Sequence, residues 1–377
     1  MGPVATLVLS VLPVLLHGRA GIDLVPYLEE HGREPADYIA EKFGTYDVVL
    51  LGEDHAVRQT LVFVQDLIPV LYSHGVTNLG MEFGASEDQG LLDELTTSRS
   101  YDDELARRIM FNYNTVWSWR EYRDIYRKVQ AFNRTLPAGA ERFRVLNLSY
   151  RYDWRGFEGQ RTPANMARVF HKGTADKYRS ELIEREVLGK GEKILALVGT
   201  PHAFTRYESP VYSYNADDFC AFDANWLGNR LLRRHPGKVF SVIVHQPFYN
   251  HANQSPLLLS PAGGTIEKLL RELGNRPLAF DLGTTPAGRL PEASAFSMCY
   301  PDFTLGQLFD GYVFLVPFSD VEPATIDEDF VTEDNAAAAI AQFPDPDWHG
   351  RPASLDDLRR RIRAMAREIE KKYAAVE

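Results

Sequence analysis

Two short stretches of the chain end in groups that can move protons. In Asp47-Val48-Val49-Leu50-Leu51-Gly52-Glu53-Asp54-His55 an apolar run stops at a glycine and is followed by three ionisable residues. Leu197-Val198-Gly199-Thr200-Pro201-His202 repeats the pattern, so Gly-x-x-His occurs twice directly after an apolar run. Imidazole titrates near neutrality, and a carboxylate beside it can fix its tautomer or take a proton itself. Other apolar runs end similarly: Asn78 to Met81 in Glu82, Val239 to Val244 in His245, and Leu278 to Phe280 in Asp281. Two buried Glu residues in one pocket would push one carboxyl pKa up, giving an acid and a base together. Two His and one or two Glu also make the ligand set of a catalytic Zn2+ or Mn2+ ion, with His55, Glu82 and His202 as candidate ligands. Metal-free and metal-assisted activation of water both satisfy the set.

The elements that must position these groups read as strands alternating with helices. Val48–Leu51, Asn78–Met81, Phe143–Leu148, Ile194–Val198, Val239–Val244, Leu278–Phe280 and Tyr312–Val316 are apolar β-type runs. Ala56 to about Ser73 has helical spacing through Leu61, Val64, Leu67, Ile68 and Leu71. The alternation predicts an α/β fold with a mainly parallel central sheet flanked by helices. In such a sheet the strand ends share one side, where crevices form, so Glu53, His55, Glu82 and His202 would converge there. His245 and Asp281 are placed on the same edge as substrate-contacting candidates, with His251 beside the first of these, although His245 and His251 could simply decorate a loop. Asp281 could equally cap a turn.

The second crossover is oversized. Leu91–Leu95, Glu104–Met110 and Trp117–Asn133 all read as helical, a helical insertion over about 86–135 of the kind that forms a lid. Near the C-terminus Ser354 is an N-cap candidate for an amphipathic helix carrying Leu355, Leu358, Ile362, Met365 and Ile369. Packing on the body of the fold is the simpler role for that stripe, and a homodimer contact is the alternative. One α/β domain over 21–377 with a helical insertion is the simplest organisation.

Composition narrows the functions. With 41 basic against 52 acidic residues the net charge is −11, which opposes nucleic acid and anionic membrane surfaces. Cys220 and Cys299 are too few for a disulfide scaffold or a Cys-based zinc site, although one disulfide is open to them. Val4 to Leu16 is an apolar run followed by Gly18-Arg19-Ala20, which reads as a secretory signal over 1–20 and places the protein in the periplasm or outside the cell; as an ordinary buried segment or a mis-assigned start it would leave the protein cytoplasmic. No later stretch is long and apolar enough for a transmembrane helix. Gly-x-Ser-x-Gly, His-Glu-x-x-His, the phosphate-binding loop and the dinucleotide fingerprint are all missing from the sequence, which lowers the weight of serine hydrolases, zincins, NTPases and dehydrogenases.

Val49-Leu50-Leu51-Gly52-Glu53-Asp54-His55, the following helix and Gly80-Met81-Glu82-Phe83 resemble the opening of the superfamily that unites erythromycin esterases, ChaN-like haem-binding proteins and TIKI/TraB-type metalloproteases. Trp119 to Asn133, Arg161 with Asn165-Met166-Ala167, and Leu197 to Ala203 extend the likeness, which spans roughly 45–205. The resemblance implies a central site of Glu53, His55, Glu82 and His202, with Arg161 as an anion or transition-state stabiliser and Trp119 near the substrate. Two functions follow from it. One is a hydrolase of esters, lactones or amides, acting on a small molecule or peptide, in which His55 activates water. The other is a haem or iron binder without catalysis, for which Trp117, Trp119, Tyr122 and Tyr126 would wall the haem or simply pack their helix.

Overall fold

In the computed structural model, residues 24–157, 160–250, 258–345 and 350–376 are described. The N-terminal apolar run, His251 and His349 lie outside them. All seven predicted strands enter one sheet. They are β1 (Val48–Glu53), β2 (Asn78–Ala85), β3 (Arg144–Ser149), β4 (Ile194–Gly199), β7 (Val239–Val244), β10 (Leu278–Asp281) and β11 (Gly311–Phe314), in the spatial order β10-β11-β7-β1-β4-β2-β3. Two small antiparallel hairpins are added that the sequence reading did not contain: β5 (Ser209–Tyr212) with β6 (Cys220–Asp223), and β8 (Phe248–Tyr249) with β9 (Leu258–Leu259). Four-residue and two-residue strands carry too little periodicity to be read from sequence.

The helices are α1 (Leu24–His31), α2 (Pro35–Lys42), α3 (Arg58–Ser73), α4 (Gln89–Thr97), α5 (Asp103–Tyr113), α6 (Arg120–Thr135), α7 (Pro163–Val169), α8 (Ala175–Glu186), α9 (Leu227–Arg234), α10 (Thr265–Glu272), α11 (Leu305–Leu308), α12 (Ala336–Ala341) and α13 (Leu355–Ala374). Along β1 the side chains alternate between two cores. Val49 and Leu51 join one with Leu79, Met81, Leu195 and Leu197, while Val48 and Leu50 join the other with Ile194, Ala196, Val198 and Ile243. Both faces are covered, which is why these strands read as continuous apolar runs. Each fully buried Leu or Ile contributes about 1.5–3 kcal/mol by removal from water.

β1 is parallel to β4 and β7, β2 to β3 and β4, and β11 to β7. Hence Glu53, Ser149, Gly199 and His245 stand at or just past the carboxyl ends, and Glu82 follows Met81, the last residue of β2 paired with β4. The exception is β10, which pairs antiparallel with β11. Its end, Asp281, therefore lies at the opposite edge of the sheet from Glu53, not with it as expected. There it accepts from Tyr38 Oη at 2.7 Å and Lys42 Nζ at 2.6 Å, tying α2 to the edge strand. A four-residue edge strand gives no sequence cue to its direction.

The insertion holds α4, α5 and α6 between β2 and β3, as the oversized crossover predicts. In α13, Ser354 Oγ accepts the Asp357 N–H at 3.2 Å as an N-cap, and Leu358 and Ile362 are buried in the main core. That apolar stripe packs on the body of the fold. Cys220 and Cys299 form a disulfide between the β5–β6 hairpin and the loop before α11. No helix among the described residues is long and apolar enough to cross a membrane.

Candidate functional site

The end of β1 turns sharply. Ala56, at φ 61°, adopts the left-handed conformation that non-glycine residues seldom take, and the turn carries His55 back over Glu53. His55 Nδ1 lies 3.1 Å from Glu53 Oε1, and Tyr122 Oη donates to the same oxygen at 2.5 Å while accepting the Ala56 N–H at 3.1 Å. Glu53 is fully buried and its Oε2 has no hydrogen-bond partner among the described residues. Burial pushes its carboxyl pKa up, against the lowering pull of His55 and Tyr122. For His55, burial acts to lower the pKa, but the bond to Glu53 and the charges of Glu82, Glu53 and Asp54 outweigh it and raise the imidazole above 6.5.

A second group assembles beside the first. Glu82, 5% exposed, takes the Gly199 N–H on Oε2 at 2.6 Å and faces Arg179 Nη2 at 3.5 Å and His202 Nε2 at 3.8 Å through Oε1. Burial would raise its pKa, yet Arg179, His202, His55 and the Gly199 N–H together hold it down at about 2. Arg179 also reaches Ser149 Oγ at 3.1 Å and Asp176 Oδ1 at 3.2 Å. Asp176 Oδ1 is in turn 2.7 Å from His202 Nδ1. The site is therefore two imidazole–carboxylate pairs, Glu53–His55 and Asp176–His202, on either side of a buried Glu82–Arg179 pair.

The four residues expected to converge do so. Gly199 explains the closeness: a Cβ there would stand 2.7 Å from His55 Cε1 and 3.6 Å from Glu82 Oε2. Asp176 and Arg179 were not anticipated. The available signal was Arg179 itself, which lies three and four residues from Leu182 and Ile183 on the apolar face of α8 and is 3% exposed. A charge on a helix's buried face requires a partner.

His55 opens into a cleft of about 440 Å3 whose walls include Trp117, Trp119, Tyr249, Met365 and Ile369. Trp117 stacks on Phe83 at 4.5 Å and meets the His55 ring edge-on at 5.4 Å. The insertion thus walls the site. The opposite wall is α13, whose end is fastened to the Gly-Glu-Asp-His turn through Lys372 Nζ and Tyr373 Oη, 2.7 and 2.9 Å from Asp54.

The other sequence candidates sit differently. Trp119 lines the cleft and is buried. Arg161 pairs with Asp345 at the start of α7, while the guanidinium that meets Glu82 belongs to Arg179. His245 is buried and both ring nitrogens are engaged, Nδ1 with Tyr312 Oη at 2.5 Å and Nε2 with Glu267 Oε1 at 3.0 Å. It stacks on Phe318 at 4.1 Å, and burial lowers its pKa. Its place is in the packing between β7, β11 and α10.

His55, Glu82 and His202 do not fit a divalent ion as ligands. Glu82 Oε1 faces the buried Arg179 cation and its Oε2 is taken by an N–H. Among the described residues no three His, Cys, Asp or Glu side chains form a metal-holding group. Haem is chemically compatible with the cleft: imidazole, phenol and thioether donors, from His55, Tyr249 and Met365, line one largely apolar space.

Residues 39–194 match the family model described as haem-binding uptake, Tiki superfamily, ChaN. The matched stretch contains Glu53, His55, Glu82 and Arg179 and ends before His202. No curated protein matches the sequence. Among solved structures, a Bacillus cereus protein superposes with a TM-score of 0.51 at 13% identity, over 81% of this chain and 98% of that one. A mutant of erythromycin esterase EreC in its open conformation gives 0.51 at 13% identity, over 78% and 95% of the two chains. A succinoglycan biosynthesis protein gives 0.52 at 11% identity, over 81% and 98%. At these identities the structural likeness is one of fold. In its motifs and over residues 39–194 the chain is similar to the haem-binding uptake, Tiki superfamily, ChaN family.

Proposed function

We propose that this protein is a hydrolase in which His55 activates water against an ester, lactone or amide. The observation that carries the reading is the Glu53–His55 pair. Glu53 Oε1, 3.1 Å from Nδ1, holds the proton on that nitrogen and leaves Nε2, on the side of Gly199, to take one from water. As that proton moves to Nε2, the water oxygen bonds to the acyl carbon. The tetrahedral centre collapses by breaking its bond to the leaving oxygen or nitrogen, which takes the proton back from His55. His202, whose Nδ1 lies 2.7 Å from the Asp176 carboxylate without a hydrogen bond to it, offers its other nitrogen to the developing oxyanion, and Arg179 supplies fixed positive charge behind Glu82.

Hydrolysis of a panel of aryl esters, lactones and peptides by wild type, His55→Ala and Glu82→Gln tests the assignment. Loss of a general base lowers the rate by about 10²–10⁴. Turnover that survives both substitutions would remove these residues from the mechanism.

A second reading, haem binding without turnover, is favoured by the family match and by the donors of the cleft. Haem bound there would contribute an iron centre ligated by side chains of this chain. Titration with haem, followed at the Soret band, separates the readings: saturation at micromolar haem in protein lacking hydrolysis supports the second, and its absence rules the second out.

Export is proposed with both readings. The Cys220–Cys299 disulfide supports it, since such bonds persist in oxidising compartments. Mass measurement of the expressed protein checks this: loss of the first ~20 residues is expected for a cleaved signal, and an intact N-terminus on intracellular protein would contradict it.

A further inference from the structure

The loop that leaves β3 at the catalytic edge, Tyr150 to Phe157, borders two adjoining cavities of about 230 and 470 Å3 that share Arg151, Tyr152 and Gln342. They lie on the other side of Glu82 and Arg179 from the cleft of His55, because β3 is β2's outer neighbour while β1 and β4 lie on its inner side. The smaller cavity has ring walls from Phe111, Tyr113 and Trp154. The larger is rimmed by Arg151, Arg155, Arg168 and His171. In a chain of net charge −11, this basic groove is a local reversal of sign.

The rim's charges are unequally compensated. Arg151 is forked onto Asp88, Arg155 onto Asp153, and Lys172 meets Glu87. Asp153 and Glu87, the carboxylates of the rim, are therefore already paired. Arg168 instead caps two carbonyls, Nη1 to Arg155 O at 2.9 Å and Nη2 to Gly156 O at 3.2 Å, and makes no direct ion pair among the described residues. Those bonds hold its guanidinium in place without neutralising it. Tyr152, common to both cavities, stacks edgewise with Tyr150 at 4.9 Å and lies 6.2 Å from Tyr113. Both Tyr113 and Tyr152 lie within electrostatic reach of Arg179 and Glu82.

We infer that this groove is an anion subsite, taking a carboxylate or phosphate group at Arg168 and Arg151 while a flat apolar body lies against Tyr113, Tyr152 and Trp154. The guanidinium fork suits either oxyanion, and the rings supply apolar area of the right width. Nothing in this assignment depends on the hydrolase reading, since it concerns binding on the far side of the Glu82–Arg179 pair.

The test is a titration of the full chain, by calorimetry, with benzoate, phenyl phosphate and the neutral benzamide. Both anions are expected to bind saturably and at least about tenfold more tightly than benzamide, an electrostatic gain of about 1.4 kcal/mol at that ratio. The tighter of the two anions assigns the groove to carboxylates or to phosphates. Arg168→Gln and Arg151→Gln should each weaken the anions severalfold and leave benzamide unchanged. Arg168 also caps its own loop, so a misfolded variant is replaced by a salt series on wild type, in which anion binding should weaken as chloride rises. Benzamide binding as tightly as benzoate, variants that bind the anions like wild type, or salt-insensitive binding would each overturn the assignment.

Discussion

Tyr373 Oη donates to Asp54 Oδ2 at 2.9 Å, so the final turn of α13 is fastened to the residue between Glu53 and His55. Lys372 Nζ holds the other oxygen of Asp54, and Tyr373 packs edge-on against Phe318 at 5.6 Å. One carboxylate thus couples the catalytic turn to the wall of the cleft. Tyr373→Phe removes the hydroxyl but keeps the ring, and should cost about 1 kcal/mol of stability. Asp54→Ala removes both bonds and should speed amide exchange in the last two turns of α13. Unchanged exchange in Asp54→Ala would show that apolar packing alone holds the helix.

The pH dependence of hydrolysis should carry the signature of His55. A general base acts in its neutral form, and the raised pKa of His55 places the loss of its proton above pH 6.5. The rate at low substrate should therefore rise with pH through a midpoint above 6.5. Glu53→Gln takes away the charge and leaves at most a neutral hydrogen bond to Nδ1, so the midpoint should move down and the maximal rate fall by tenfold or more, within the range of general-base effects. A pH profile identical in Glu53→Gln and wild type would disconnect Glu53 from the reacting imidazole.

Glu82 predicts an acid weakness. Its pKa is about 2 in the folded chain against the usual 4.5, so its stabilising contribution is fully present above pH 4.5 and disappears as pH falls toward 2. The shift corresponds to something on the order of 3 kcal/mol. Glu82→Gln keeps the shape but leaves the Arg179 cation buried against a neutral amide. At pH 7 it should lower stability by about 3–5 kcal/mol, the scale for breaking a buried pair. Urea denaturation between pH 7 and 2.5 checks both, since the variant should lose less stability on acidification than wild type. Parallel curves would place the acid sensitivity elsewhere.

How far the sequence reached follows from which residues carry local signals. Glu53, His55, Glu82 and His202 each follow an apolar run buried on both faces, and a mainly parallel sheet then brings those ends together. Asp281 follows a similar run but sits on an antiparallel edge strand, and four residues carry no mark of direction. His245 stands at a true carboxyl end, yet Glu267 and Tyr312, remote in sequence, draw its ring into the core. Arg179 and Asp176 belong to α8, whose docking over Glu82 is a tertiary event. Arg161 was selected by resemblance and pairs with Asp345. Motifs followed by strand ends were legible, and the identity of the charge that neutralises them was not.

Gly199 offers the sharpest test of the geometry. Its N–H holds Glu82 Oε2 at 2.6 Å, and its missing side chain is the space that the His55 ring fills. A Cβ at this position would stand 2.7 Å from His55 Cε1 and 3.0 Å from Nε2, closer than nonbonded carbon atoms tolerate. The glycine is at φ −59°, a conformation open to any residue, so Gly199→Ala adds no backbone strain and acts only through that contact. The imidazole must tilt into the cleft, away from Glu53, and its 43% exposed side chain has room to do so. Stability should therefore change by about 1–3 kcal/mol, the usual scale of overpacking. Hydrolysis should fall by about a hundredfold, since a displacement near 1 Å of a reacting group costs that much. Because only the imidazole moves, the loss should fall on kcat more than on KM, and the midpoint of the pH profile should drop toward 6.5 as the bond to Glu53 lengthens. Full activity in Gly199→Ala, with the fold intact, would mean that the Nε2 position beside Gly199 is not where the reaction takes place.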